Sequence, residues 1–286
     1  MVSVILYLLI VLATVTQSAS TKLFNRQSSR SEVFNAIKSS SALVLFALMA
    51  IPGFTLHLPT VFFGLAYGAG LCLSMYAGYK ALCLGPMSLT SMLVSFSVVI
   101  PLVFGVTFGK ETLNTFKYVA FVLLFIAIIS TNADKIKEGS RKEANYGLWL
   151  LFVGITFLCN GACSVLQKQH KTLYPEAYSR EFMFFAMLFC SLIFSVAVLS
   201  RLSFKEIKET KGKLYGVISG CSNGMANFLT LIMAGLENAS VLFPVISAGT
   251  VLSALLCGRL IFKERLKANH CFALVFGILA IVFLKI

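Results

Sequence analysis

Charges and prolines divide the chain into ten apolar runs of about 18–24 residues each. No other feature restricts the fold as much. About 20 helical residues cross the hydrocarbon core of a bilayer, and only helices or closed barrels satisfy their backbone polar groups there. The runs lie at 2–21, 33–52, 60–83, 86–108, 115–132, 146–167, 180–200, 213–236, 239–262 and 268–285. Each is long enough to cross as a helix, so the expected fold is an all-α membrane protein of ten transmembrane helices. Composition agrees: 58% of residues are apolar and 12% charged, against about 45–50% and about 25% in soluble domains. These values exclude a soluble globular enzyme, a disordered chain and a collagen-like fibre. The first run ends in Ser18-Ala19-Ser20, which resembles a cleavage site, yet no Lys or Arg precedes Lys22. The basic segment of a signal peptide is missing, and the run is read as the first span. In the second run Glu32 and Lys38 sit in the first turns, and Lys38 is expected to snorkel to the interface.

The net charge of +13 would suggest nucleic acid in a soluble chain. Here it follows the topology, because Lys and Arg collect in cytoplasmic loops. Eighteen of the basic residues fall on one side of the ten-span arrangement and six on the other. This bias places both termini outside and leaves no role for nucleic acid. The basic loop from Lys205 to Lys213 is expected to meet anionic lipid headgroups. All eight cysteines lie in apolar stretches rather than loops, so they do not form a disulfide framework. Cys159 and Cys163 are one helical turn apart but lack a His or carboxylate to complete a metal site. They read as packing residues, and neither metal nor cofactor is expected.

The two halves repeat. Ala81–Leu113 aligns without gaps on Ala234–Leu266 at a constant offset of 153. Ala81, Leu89, Val98, Leu102, Gly105, Lys110, Glu111 and Leu113 meet identical residues. Identities through Ala, Leu and Val arise easily between apolar stretches, but a Lys-Glu pair at the same distance past the span does not. Gly64 and Gly68 punctuate the third run, and Gly216, Gly220 and Gly224 the eighth, as small faces that let helix backbones approach in lipid. The chain divides into a five-helix repeat at 1–133, a charged linker at 134–145 and a second five-helix repeat at 146–286. Five is odd, so the second copy enters the membrane inverted, a plan common among secondary transporters.

These residues resemble the drug/metabolite transporter superfamily in its ten-helix EamA-like branch. The resemblance rests on the helix that begins Gly85-Pro86-Met87-Ser88 and ends Lys110-Glu111. Its counterpart runs from Ala239 through Pro244 to Lys263-Glu264, and Asn160-Gly161 through Gln167-Lys168 adds to it. It covers essentially the whole chain. It implies a secondary active transporter that moves a small organic solute by alternating access, without naming the solute. The expected location is a bacterial plasma membrane, as a multi-pass protein among lipids, with a homodimer as an assembly option. The small four-helix members of the superfamily use a glutamate in the first helix. Here Thr14, Thr16 and Gln17 stand in that region, which argues against carboxylate-based proton or cation exchange.

All eleven acids fall at run ends or in loops, so a substrate site would be built from neutral groups. Gln17, Asn160, Asn223 and Asn227 are amides that need partners in hydrocarbon. Asn223 and Asn227 share a helix face. Tyr76 with Tyr67 and Tyr79, Ser95 with Ser91 and Ser97, and Ser247 with Thr250 complete the candidate lining. The alternative for each is a contact that glues helices together. Pro101, interior to its run, is the hinge candidate, whereas Pro244 falls in first turns where proline is tolerated. The Lys110-Glu111 and Lys263-Glu264 pairs read as end caps or as gate contacts. His57, His170 and His270 sit at run ends, and neither Gly-x-Ser-x-Gly nor His-Glu-x-x-His occurs. The chain is therefore not expected to be an enzyme. The competing class is a non-transporting membrane scaffold or receptor-like protein.

Overall fold

A computed structural model of the chain describes residues 2–27, 31–84, 90, 93–109, 111, 114–138, 146–175, 177–201, 209–260 and 268–285. Among these residues the protein is all-α, with ten α-helices and no strand. They are α1 (Val2–Gln27), α2 (Ser31–Ala50), α3 (Leu58–Leu84), α4 (Val99–Thr107) and α5 (Thr115–Glu138). Then follow α6 (Tyr146–Leu173), α7 (Ser179–Arg201), α8 (Lys213–Leu236), α9 (Ala239–Leu260) and α10 (Ala268–Lys285). Six contain stretches long and apolar enough to cross a membrane: Ser3–Thr21, Glu32–Ala50, Leu58–Gly78, Gly147–Leu173, Ser179–Ser200 and Lys213–Leu236. Leu93–Thr107, Thr115–Ser130, Ala239–Thr250 and Val275–Leu284 are shorter apolar helical stretches. The chain is thus a helical, multi-span integral membrane protein. Gly85-Pro86-Met87-Ser88, Lys110, residues 139–145 of the linker, residues 205–208 of the basic loop and Lys263-Glu264 lie outside the described residues.

The chain forms two compact units, each drawing on both sequence halves: 1–72 with 166–235, and 73–165 with 236–286. The division falls inside α3 and α6. In the first unit, α2 presents the buried stripe Phe34, Lys38, Ala42, Phe46 and Ala50, spaced four residues apart. The glycines of α8 lie against α2: Gly216 meets Ile37, Gly220 meets Ser41 and the Lys38 carbonyl, and Gly224 meets Ala42 and Phe46. On α3, a Cβ at Gly64 would stand 2.8 Å from the Phe182 carbonyl oxygen, and one at Gly68 2.7 Å from that of Ala186. Both glycine faces are therefore close helix contacts, as their spacing suggested.

In the second unit, Ala81, Trp149 and Val153 form a buried cluster with Leu93, Val94 and Phe152 packed on it. The Trp149 indole donates to Thr90 Oγ1 at 2.9 Å, so its one polar atom is satisfied. α10 packs on α5 and α9, and the Phe116 and Phe283 rings stack with centroids 6.1 Å apart. Residues Phe96–Val98 form a 3-10 turn that leads into α4. Pro101 is buried at the third position of α4, and the helical residues 93–98 that precede it place it inside the apolar stretch Leu93–Thr107.

Candidate functional site

Two groups of hydrogen-bonded polar side chains stand out in the first unit, and the second unit holds further pairs. The most connected is a chain across α3, α6 and α8. Tyr67 Oη donates to Asn227 Oδ1 at 2.8 Å. Gln167 Nε2 donates to Tyr67 Oη at 3.3 Å and to the Asn227 carbonyl at 3.2 Å. Asn227 Nδ2 in turn donates to the Asn223 carbonyl at 2.9 Å and to its Oδ1 at 3.3 Å. Tyr67 and Gln167 are buried, while both asparagines are half-buried. Such a network holds its members in fixed rotamers, and removing one strands the others in a medium of low dielectric.

The second group lies where α3 begins and α6 ends. Thr60 Oγ1 shares hydrogen bonds with His57 Nδ1 at 3.0 Å and His170 Nε2 at 3.2 Å. His170 is 0% exposed, and its Nδ1 has no hydrogen bond among the described residues. The His57 ring stacks flat on Tyr178, with centroids 4.3 Å apart. Tyr178 has φ of 59°, a left-handed conformation that is strained for a bulky side chain. A run end would leave His170 at the interface; α6 instead continues to Leu173 and encloses it. The Lys171 ammonium donates to the carbonyls of Tyr174, Pro175 and Ala177, in the segment that follows the helix, at 3.3, 3.0 and 3.2 Å. Lys168 likewise donates to the Ala234 carbonyl at 3.1 Å, and Arg180 to those of Met49 and Pro52 at 3.1 and 3.2 Å.

In the second unit Asn160 Oδ1 accepts from Ser74 Oγ at 2.6 Å. Tyr76 is 45% exposed. Its ring meets Phe152 edge-on at 6.5 Å, and Lys80 Nζ stands 5.8 Å from its centroid. Ser95 precedes the 3-10 turn and Ser247 lies in α9; both are half-buried. Glu111 acts as a cap. Its carboxylate accepts from the backbone N–H groups of Ala239 at 2.7 Å and Ser240 at 2.9 Å. These belong to the N-terminus of α9, where free N–H groups and the helix dipole favour an anion.

The sequence-derived candidates therefore fall into both units. Asn223 and Asn227 are joined directly, and Asn160 is bonded to Ser74, a residue the sequence did not single out. Gln17 is half-buried on α1, where its backbone carbonyl accepts from Thr21 Oγ1 at 2.8 Å. Gln167 escapes sequence reasoning as a site residue because the polar stretch Gln167–Lys171 reads as a run end. Thr60 escapes it because a lone threonine carries no signal. Lys38, expected at the interface, keeps only 9% of its surface exposed. Its stripe on α2 faces the interior, so snorkelling is not what the fold allows. A groove of about 330 Å³ between α2, α7 and α8 is apolar apart from Ser40 and Ser41 and does not suit a polar solute. The described cysteines Cys72, Cys159, Cys163, Cys190 and Cys221 form no disulfide.

No family model matches the sequence, and no curated protein matches it. Solved structures do. One, described only as a crystal structure of a protein, superposes with a TM-score of 0.81 at 12% identity. The match covers 98% of this chain and 94% of that one. At that identity the likeness shows the fold alone: a helical architecture shared over nearly the full length of both chains.

Proposed function

We propose that the protein is a secondary active transporter of the EamA-like drug/metabolite type, with ten spans arranged as two inverted five-helix repeats. It moves a small organic solute by alternating access. The observation that carries this reading is the gap-free repeat at an offset of 153, which ends in Lys110-Glu111 and Lys263-Glu264. An odd number of helices per copy inverts the second copy, and two near-equivalent packings of such copies supply the two access states. The Glu111 cap supports it, because the end of one copy's fourth run holds the start of the other copy's α9.

The deciding measurement is counterflow in proteoliposomes with a panel of metabolites and drugs, chosen from thermal-shift hits. Leu in place of Asn160, Asn223 or Asn227 is expected to reduce flux to the level of empty liposomes while the protein still inserts. Unchanged flux in all three variants removes them from the site. One observation favours a second reading. Asn223 and Asn227 already satisfy each other and Tyr67, as they would in a non-transporting scaffold. Absence of flux and of binding across the whole panel would establish that alternative.

A further inference from the structure

Lys38 differs from three other cations of the first unit. Lys168, Lys171 and Arg180 each donate to backbone carbonyls. Among the described residues, no hydrogen bond or ion pair reaches the Lys38 ammonium. The residue sits seven positions into α2, roughly 10 Å along the axis from Ser31. It occupies the same stripe as Phe34, Ala42 and Phe46 and keeps 9% of its surface.

Among the described residues no counter-ion faces that charge. α1, α3, α8 and the end of α6 contain no Asp or Glu. On α7 the one acid is Glu181, in the first turn. Cys190, the α7 residue within electrostatic reach of Lys38, lies nine residues further on, roughly 13 Å along the helix. Glu209 precedes α8, eleven residues before the Gly220 that touches the Lys38 carbonyl. Glu32 is six residues back on α2 itself, roughly 9 Å away. The Cys190 thiol donates to the Gly68 carbonyl at 3.3 Å. An isolated ammonium in such a place is disfavoured, and charges held within membrane spans mark functional sites.

We propose that Lys38 is the counter-charge for an oxyanion group, carboxylate or phosphate, on the transported solute. The inference rests on the transport reading above and names its substrate class. A lysine serves as a compact point charge for such groups, and a charge-assisted hydrogen bond to an oxyanion is among the stronger polar contacts. The anion supplies the neutralisation that the described helices around Lys38 lack.

The experiment uses the full chain in phosphatidylcholine nanodiscs, with succinate, glutamate and glycerol 3-phosphate as probes at constant ionic strength. Succinamide and glycerol are the uncharged controls. At least one oxyanion is expected to raise the unfolding temperature while the controls do not. Lys38→Met abolishes that shift, Lys38→Arg keeps it, and ligand-free Lys38→Met unfolds a few degrees higher because a buried charge has gone. Lys38→Gln serves where Met fails to insert. An oxyanion shift that survives in Lys38→Met and Lys38→Gln overturns the proposal. So does counterflow confined to neutral or cationic solutes, although that leaves the transport reading intact. A Lys38-dependent shift without any counterflow keeps the oxyanion site and removes transport. Lys38-dependent stabilisation by phosphatidylglycerol alone, with no response to the soluble probes, assigns the oxyanion to a lipid headgroup and overturns the solute.

Discussion

Glu111 shows how one side chain acquires a role that its position in the sequence leaves open. At the end of an apolar run, an acid beside a lysine reads equally as an interface anchor, a cap or a gate contact. In the fold its two oxygens accept from the N–H groups of Ala239 and Ser240, which have no acceptor within α9. Removing a side chain that satisfies helix N-terminal donors costs about 0.5–2 kcal/mol. Glu111→Ala is therefore expected to lower the unfolding temperature in detergent, with Glu111→Gln intermediate because a neutral amide loses the interaction with the helix dipole. Thermal unfolding of the two variants checks this; equal stability of wild type and Glu111→Ala would show the cap to be energetically idle. Lys38 is the opposite case. The sequence puts it near a helix start, where snorkelling is the rule, and only the direction of the buried stripe on α2 turns it inward.

Among the elements, the glycine spacings of α3 and α8 are legible because a small residue every fourth position makes a flat helix face whatever lies opposite. The structure adds which partner fills each face. Gly220 is held tightly, since a Cβ there would collide with the Ser41 hydroxyl and the Lys38 carbonyl. Gly154 on α6 meets nothing within 4 Å. Gly220→Ala is expected to lower the unfolding temperature, because a backbone carbonyl cannot rotate away as a side chain can. Gly154→Ala is expected to leave it unchanged or raise it, Ala being the better helix former by about 1 kcal/mol. Matching losses in the two variants would contradict the close-approach account. Helix ends are less legible. The polar tail Gln167–Lys171 reads as loop, but α6 continues to Leu173, and Gln167 and His170 are buried.

At the scale of the whole molecule, the excess of Lys and Arg on one side predicts both termini outside. An epitope tag at the C-terminus should be reached by antibody in intact cells, and the short α9–α10 connection only after permeabilisation. The reverse pattern would mean that the helix tally or the sidedness is inverted. The sequence by itself determined that this chain is a helical membrane protein and where most helices run, because those properties depend on local hydropathy and on the number of residues a bilayer requires. The identities between Ala81–Leu113 and Ala234–Leu266 at an offset of 153 are likewise a property of order along the chain. The tertiary structure alone decided how the chain sorts into compact units that draw on both halves. It also decided which polar groups find partners: Tyr67 with Gln167 and Asn227, Ser74 with Asn160, and Lys38 with none among the described residues. A hydrogen bond such as Ser74 to Asn160 or Tyr67 to Asn227, 86 or 160 positions apart, depends on which helix faces meet. Hydropathy within a single helix carries no record of that.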